Sequence, residues 1–392
     1  MTLSNDPTAE IKALTAERAA HYIGVRRDLH MHPELAFEEH RTAAKVADEL
    51  RRIGLSPRIG VGRTGVVADI EGGRPGPRLL IRADMDALPI HERTGLPYAS
   101  QIDGKMHACG HDIHTATLLG VGEVLHRMAD QLSGSVRLVF QPAEEAIGGA
   151  REMIADGILE GVDMALGLHN RPEIAVGSFG IVEGFANASV DTFDLTIHGK
   201  SGHAARSYAA LDPIVVAAQF INQVQTVISR DVRALESCVI SIGSIHAGEA
   251  RNVIPGSCTM TGTIRSRHPE ARATAERRLR QICAGLETGT GAGMALTFVH
   301  GTPGIRNEPK MLAATQTAIE HQFGDVALRY EPSMGGEDFA LIAEAVPSFR
   351  LLVGSSQPGR NDRVHNDDYQ PDERCIAFGT EALARASLDL LR

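Results

Sequence analysis

The segment V-R-L-V-F-Q-P-A-E-E, residues 136–145, decides the fold class of this chain. Its apolar start is typical of a buried β-strand, and a proline and two carboxylates follow directly. Similar short apolar runs, separated by Gly/Pro turns or helical stretches, occur at Gly65–Ile70, Arg78–Ala83 and Met164–Leu168. Strands that alternate with helices predict an α/β domain with a central mixed sheet.

Helical spacing marks the elements that cover this sheet. One apolar stripe stops at Gly54, a residue type that commonly follows a helix, and it consists of Ala43, Val46, Ala47, Leu50 and Ile53. A second helical pattern runs from about Thr115 to Met128, and a last helix is predicted from Pro371. The first and last parts of the chain therefore contribute to one α/β domain.

From about Ala186 the pattern changes to β-α-β-β-α-β. Its first helix is predicted to begin with Asp212 as N-cap and Pro213 in the first turn and to reach about Ser229, and its second helix starts at Pro269. This order is typical of a ferredoxin-like α+β domain. We therefore predict a catalytic domain in two parts, residues 1–185 and 301–392, with an inserted domain at 186–300.

Length, charge and cysteine content restrict the class of protein. The chain has 392 residues, and 39 Lys+Arg against 49 Asp+Glu give a net charge of −10, which disfavours nucleic acid as a partner. No stretch is apolar enough to span a membrane, and the N-terminus does not resemble a signal peptide, so we expect a cytoplasmic protein. Its 5 cysteines are widely spaced and are expected to be free thiols.

The densest group of chemically active residues is M-H-A-C-G-H-D-I-H, residues 106–114. Cys109 and His111 are two residues apart around Gly110, whose flexibility lets the backbone fold tightly, so both side chains can reach one metal ion. A structural free cysteine beside surface histidines is an equally good interpretation of this segment alone.

Further candidates follow the other predicted strands. Glu144 and Glu145 stand at a strand end, where one carboxylate can bind a metal and the other can act as general base, although most Glu-Glu pairs are merely solvated. His169 follows an apolar run, and His365 lies in a late polar loop. Open α/β sheets place ligands beyond the carboxyl ends of their strands, which favours a shared site for these segments.

Two carboxylates, Asp84 and Asp86, follow the run Arg78–Ala83. Either can hold the imidazole of a metal-binding histidine in one tautomer, and we predict this supporting role for Asp86. Capping of a turn is the simpler alternative for both residues.

These segments closely resemble one enzyme family, the N-acyl-amino-acid amidohydrolases. This family comprises the hippurate hydrolase and auxin-conjugate hydrolase branch of the metallopeptidase superfamily that also holds carboxypeptidase G and aminoacylase. The resemblance runs from about His30 to Tyr369. It rests on H-P-E-L-A-F-E-E (32–39), R-A-D-M-D-A-L-P-I (82–90), H-A-C-G-H-D (107–112), Q-P-A-E-E (141–145), G-L-H (167–169), G-K-S-G-H-A (199–204), G-E-A-R-N-V-I-P (248–255), G-T-I-R (262–265) and G-G-E-D-F (335–339).

The resemblance implies a site with two divalent metal ions and a general base. Its metal ligands would be Cys109, His111, Glu145, His169 and His365, with Cys109 bridging the two ions. Glu144 would be the general base that acts on a metal-activated water. Thiolate, imidazole and carboxylate together suit zinc, and manganese, cobalt or nickel are alternatives.

The resemblance also assigns roles to residues of the inserted domain. His203 would stabilise the tetrahedral oxyanion, often in the partner subunit's active site, and Asn252 and Arg265 would bind the substrate carboxylate. The segment Arg206–Tyr208 differs from close relatives, which usually have Pro-His there, so substrate specificity is open. Because the family's inserted domain commonly mediates dimers, a homodimer or dimer-based oligomer is expected.

The sequence therefore predicts a metal-dependent amidohydrolase that cleaves N-acyl amino acids into a carboxylic acid and a free amino acid. Its expected partner is this small-molecule substrate, with no nucleic acid and no membrane. A metallo-dipeptidase or carboxypeptidase that acts on aminoacyl conjugates is the alternative enzyme. A metal-binding protein without activity, or a thiol enzyme with Cys109 as nucleophile, fits these residues less well.

Overall fold

A computed structural model describes residues 6–146 and 148–392. The chain divides into two units. The first comprises residues 1–184, 306–331 and 338–392, and the second comprises residues 185–305 and 332–337.

The described residues form the following helices and strands. The helices are α1 (Thr8–Met31), α2 (His40–Arg52), α3 (His111–Arg127), α4 (Gly149–Ala155), α5 (Pro213–Thr226), α6 (Pro269–Thr290), α7 (Pro309–Phe323), α8 (Phe339–Ala345) and α9 (Cys375–Leu390). The strands are β1 (Arg58–Val61), β2 (Gly65–Glu71), β3 (Arg74–Asp84), β4 (Ser133–Gln141), β5 (Met164–Ala175), β6 (Phe179–Ile181), β7 (Ser189–His198), β8 (Gly202–His203), β9 (Cys238–His246), β10 (Val253–Ile254), β11 (Ser257–Ser266), β12 (Gly293–His300), β13 (Ala327–Arg329) and β14 (Ser348–Ser356).

The first unit is built on an eight-stranded mixed sheet in the order β1-β2-β4-β3-β5-β14-β6-β13. The four central strands, β4, β3, β5 and β14, are parallel, and β1 and β2 extend the sheet with antiparallel pairing. The prediction of an α/β fold with a central mixed sheet is therefore confirmed. Because the central strands are parallel, the carboxyl ends of β3 and β4 lie at the same edge of the sheet as His169 of β5.

Helix α2 shows how the apolar pattern builds this unit. Its residues Ala43, Val46, Ala47 and Leu50 are buried, and the chain leaves the helix at Gly54 with a positive φ of 95°. The predicted helix is confirmed, since its apolar stripe faces the core and its end requires the left-handed conformation that glycine adopts easily.

Two helix boundaries differ from the sequence-based expectations. Helix α3 begins at His111, four residues before the predicted Thr115. The apolar pattern did not reveal this first turn because its buried residues His111 and His114 are polar. Helix α9 begins at Cys375 rather than at Pro371. The turn before it is closed by the bond from the Cys375 N–H to the Asp372 carbonyl, at 3.1 Å.

The second unit has a four-stranded antiparallel sheet in the order β12-β7-β11-β9, with α5 and α6 packed on it. Its core includes Phe193 and Leu195 of β7, Phe220 of α5 and Leu279 of α6. Strand order and helix positions match the predicted ferredoxin-like pattern. Helix α5 begins as expected, because the Asp212 carboxylate accepts the Ile214 N–H at 2.9 Å.

The cysteines and the hydropathy of the helices also match the expectations for this chain. All five cysteines are buried and free, as predicted. Among residues 6–146 and 148–392, no helix combines the length and hydropathy that crossing a membrane requires.

Candidate metal centre

Gly110 shapes the loop that carries Cys109 into α3. Its φ of 91° lies in the left-handed region, and a Cβ at this position would lie 2.4 Å from the side-chain oxygen of Asn170. Glycine is therefore required here for both conformation and space. The tight turn brings Cys109 and the first residue of α3, His111, to the same edge of the sheet, and both side chains are buried.

Glu144 and Glu145 lie in the turn that follows β4. Ala143, just before them, has a positive φ of 51°, which turns the backbone sharply after Pro142. Glu144 is buried and Glu145 is half-buried. The Glu145 N–H donates to Asp86 Oδ2 at 3.0 Å, so the turn is fixed to the segment after β3.

His169 lies within β5, which continues to Ala175 beyond the apolar run that marked it in the sequence. Its Nδ1–H donates to the Asn170 carbonyl at 2.6 Å, which leaves the lone pair on Nε2. That nitrogen lies 3.5 Å from Cys109 Sγ. The hydrogen bond thus selects the tautomer in which Nε2 is available to a metal.

His365 approaches from the loop between β14 and α9. Its φ of 65° is unusual for a residue other than glycine, and its N–H donates to the Ala108 carbonyl at 2.7 Å. His365 Nε2 lies 3.3 Å from Glu145 Oε1. The backbone bond therefore joins the His365 loop directly to the Cys109 loop.

The five sequence-predicted ligands converge in two groups that share Cys109. One group is Cys109, His111 and His169, the other is Cys109, Glu145 and His365, and in each the potential ligand atoms lie within 4.8 Å of one another. Glu144 lies within the same distance of His111 and Glu145. This arrangement can accommodate two cations with a shared thiolate and a neighbouring carboxylate.

The hydrogen bonds of His111 test whether the site fits a metal. His111 Nδ1 lies 2.9 Å from the Asp86 carbonyl oxygen and 3.1 Å from Asp86 Oδ1. Its Nε2 is buried and has no hydrogen-bond partner within the described residues. A histidine with one nitrogen held by a carboxylate and the other unpartnered is typical of a metal ligand, and the donor set fits divalent cations.

The charges of the cluster also fit a cation. Burial alone would lower the pKa of His111, but the charges of Asp84 and Cys109 outweigh it and raise that pKa well above its usual value. Burial raises the pKa of the Cys109 thiol, and the nearby Glu145 and Glu144 add to this effect. Binding a divalent cation favours neutral imidazole and thiolate, so metal binding to these residues releases protons.

Asp84 and His114 lie beside the cluster and are held by hydrogen bonds to each other and to neighbouring residues. His114 Nδ1 lies 2.5 Å from Asp84 Oδ1, and His114 Nε2 accepts the Asn170 N–H at 2.9 Å. Arg82 Nη1 donates to Asp84 Oδ2 at 2.6 Å. Because both nitrogens of His114 are used, these residues support the metal cluster without extending it.

The candidate residues of the second unit are held less firmly. His203 is exposed on β8, opposite Val253 of β10, and its Nδ1 accepts the Ala205 N–H at 3.1 Å. Asn252 is exposed just before β10, and its carbonyl accepts the Ala204 N–H at 3.1 Å. The structure thus brings His203 and Asn252 together on one two-stranded ladder.

Arg265 lies outside that two-stranded ladder. It is half-buried on β11, where it pairs with Val190 of β7.

Sequence reasoning missed Asn170 as a site residue. Asn170 is buried, packs against Gly110 and contacts the ring of His114, and its amide group donates to the Tyr369 hydroxyl. The only signal in the sequence was its position directly after His169 in G-L-H-N.

Comparison with known proteins identifies the family. Residues 80–389 match the profile of "Peptidase family M20/M25/M40". This chain belongs to that family. The resemblance drawn from the motifs is thereby confirmed, and the M20 chain is a metallo-hydrolase whose clustered residues suit divalent metals.

Individual relatives of this M20 chain match over nearly its full length. An N-acetylcysteine deacetylase of Bacillus subtilis is 39% identical over 96% of this chain and 99% of its own. The crystal structure of a putative aminohydrolase from methicillin-resistant Staphylococcus aureus superposes with a TM-score of 0.94, at 34% identity over 98% and 100% of the two chains. The crystal structure of a dinuclear metal-binding M20 peptidase of Bacillus subtilis superposes with a TM-score of 0.87, at 37% identity over 96% of this chain and 99% of its own.

Proposed function

We propose that this enzyme hydrolyses the amide bond of N-acyl amino acids to a carboxylic acid and a free amino acid with the help of two divalent metal ions. The observation that carries the proposal is the convergence of two ligand groups on Cys109, with Glu144 beside them. The likeness to an N-acetylcysteine deacetylase over almost the whole of both chains supports this substrate class.

The ligand groups divide naturally between two ions. Cys109 is shared, His111 and His169 complete one set, and Glu145 and His365 complete the other. Thiolate and imidazole favour zinc, while manganese, cobalt and nickel are compatible with the same donors. When bound, the two cations would polarise the amide carbonyl and lower the pKa of the attacking water.

Glu144 moves the proton. Its carboxylate lies among the ligand atoms, so it can accept a proton from the attacking water and deliver it to the leaving nitrogen. The turn after β4 holds this side chain in a buried position. Low exposure excludes competing solvent and keeps the carboxylate near the reacting bond.

We assign the remaining steps to the second unit. Because His203 Nδ1 accepts the Ala205 N–H, the ring proton lies on Nε2, and this atom can donate to the oxyanion of the tetrahedral intermediate. Asn252 and the fork of Arg265 bind the substrate carboxylate. The working enzyme is a homodimer or a dimer-based oligomer, since the inserted domain of the family that the sequence resembles commonly mediates dimers.

The test measures free amine released from N-benzoyl, N-acetyl, indole-acetyl and long-chain N-acyl amino acids. Metal-depleted protein is compared with samples given zinc, manganese, cobalt or nickel, and bound metal is counted by mass spectrometry. We expect release that depends on metal, with about two ions per chain in the most active sample.

Peptide substrates with a free amino terminus serve as the control for substrate class. Faster turnover of dipeptides than of every N-acyl amino acid would replace the proposal by a dipeptidase or carboxypeptidase. No release from folded, metal-loaded protein on either panel would refute hydrolytic function altogether.

A further inference from the structure

The backbone on both sides of Glu144 is held by buried carboxylates. The Ala143 N–H donates to Glu39 Oε1 at 2.8 Å, and the Glu145 N–H donates to Asp86 Oδ2 at 3.0 Å. Glu39 is completely buried. The two acceptors thus fix the residues immediately before and after the general base.

The conformation of Ala143 explains why the backbone needs this support. Its φ of 51° is unfavourable for a residue with a Cβ, since the left-handed region crowds Cβ against the backbone. A strained conformation persists only where surrounding contacts hold it in place. The bond to Glu39 is such a contact, and it acts on the peptide unit that sets the direction in which Glu144 leaves the turn.

Glu39 is itself firmly oriented. Its second oxygen, Oε2, accepts the hydroxyl of buried Thr64 at 2.6 Å, in the turn between β1 and β2. The Glu39 backbone carbonyl accepts the Ala43 N–H at the start of α2 at 2.9 Å. Glu39 therefore links the first turn of α2 to the Glu144 turn, and Thr64 holds its carboxylate in place.

Placing Glu39 here carries an electrostatic cost. Burial raises the pKa of Glu39, and the neighbouring charge of Asp86 raises it further, against the hydrogen bonds that lower it. A buried carboxylate beside another carboxylate is unfavourable unless hydrogen bonds compensate for its lost solvation. Among the hydrogen bonds of the Glu39 side chain to the described residues, the bond to Ala143 lies beside the site.

We propose that Glu39 is a positioning residue for the general base: through the Ala143 N–H it holds the turn that aims the Glu144 carboxylate at the reacting bond. This inference rests on the proposed role of Glu144. It extends that function to H-P-E-L-A-F-E-E, residues 32–39, whose last residue has no assigned part in the reaction.

The test compares kcat, KM and bound metal in Glu39→Ala and Glu39→Gln. In Glu39→Ala the turn loses its acceptor, and we expect kcat to fall about 10- to 100-fold, with KM and metal content nearly unchanged. In Glu39→Gln the amide oxygen can accept the Ala143 N–H and the amide nitrogen can donate to Thr64. Activity should therefore return to near the wild-type value.

Glu34 offers a matched control. Its carboxylate also accepts two backbone N–H groups, those of Arg41 at 3.0 Å and Thr42 at 2.8 Å, but these belong to α2. Glu34→Ala should lower the melting temperature and leave kcat nearly unchanged. A fall of kcat equal to that of Glu39→Ala would show that the effect is general destabilisation and would overturn the inference.

If Glu39→Ala does not fold, Glu39→Asp replaces it, because a shorter carboxylate cannot reach both Thr64 and Ala143. Wild-type kcat in Glu39→Asp or in folded Glu39→Ala would overturn the positioning role, as would failure of Glu39→Gln to restore activity. Glu144→Gln, measured in parallel, separates the two proposals. If it keeps activity, the base assignment fails, and if it is inactive while Glu39→Ala is fully active, only the positioning role fails.

Discussion

In the first unit, Cys109, His111 and Glu144 are buried, whereas His203 and Asn252 of the second unit are exposed. The His111 ring is held by Asp86, twenty-five positions away in the chain, while the hydrogen bond described for the His203 ring comes from the N–H of Ala205, two positions away. The first arrangement fixes geometry before any ligand arrives. The second leaves the His203 and Asn252 side chains open to solvent.

This difference predicts separate experimental signatures. Changes near Cys109 should alter metal content or proton transfer, because these residues form one cluster of potential ligands. Changes at exposed His203 or half-buried Arg265 should alter turnover or substrate affinity and leave metal content unchanged.

The largest effect is expected for Glu144→Gln. The amide keeps the shape of the side chain but cannot accept a proton, so kcat should fall about 10²- to 10⁴-fold while bound metal stays constant. Steady-state kinetics and metal analysis check this, with Glu173→Gln, an exposed residue of β5, as control. Activity close to wild type would remove Glu144 as the base.

His203→Ala tests the second unit, with an expected fall in kcat nearly as large as that of Glu144→Gln. Loss of an oxyanion donor should lower kcat about 10²- to 10³-fold, with unchanged metal content and melting temperature. His246→Ala, an exposed histidine at the end of β9, should have no effect. A loss of bound metal in His203→Ala would break the contrast between the two units.

Asp86→Ala should weaken metal binding about 10- to 100-fold, because it removes the carboxylate contact of His111 and leaves the Glu145 N–H without its acceptor, while the Asp86 carbonyl still holds His111 Nδ1. Titration with zinc in the presence of a competing chelator measures this change. The control is Asp103→Ala, whose exposed carboxylate pairs with His91 at 2.5 Å. Unaltered zinc affinity in Asp86→Ala would contradict the supporting role of this carboxylate.

Arg265→Ala is expected to give the smallest change. Loss of one charge-assisted contact should raise KM about tenfold for N-acyl amino acids. The same substitution should have little effect on substrates whose carboxylate is amidated. Arg277→Ala, on the exposed face of α6, is the matched control. An equal KM increase for both substrate types would refute carboxylate recognition by Arg265.

The sequence predicted those elements whose signals are local. Asp212 and Pro213 mark the start of α5 because a cap and a first-turn proline act within a few residues. Helix α1 shows the opposite case. Its buried positions include Thr15, Arg26 and His30 alongside apolar residues, so hydropathy spacing does not reveal it.

The same distinction applies to the site. Cys109 and His111 stand out in the sequence because they are close together in a segment with a glycine. Glu39 and Asn170 do not, since their roles depend on tertiary contacts, such as the bond between Glu39 and Ala143 across 104 positions. Pattern reasoning finds ligands more readily than the residues that hold them.

The position of β14 has a consequence for synthesis on the ribosome. This strand, Ser348–Ser356, lies inside the first unit's sheet, between β5 and β6. The sheet therefore stays open until residues 348–356 have emerged. The second unit, most of which is the continuous stretch 185–305, has its full set of strands much earlier. The nascent chain can thus pair the strands of its second unit before the sheet of the first unit closes, and the metal cluster waits for His365.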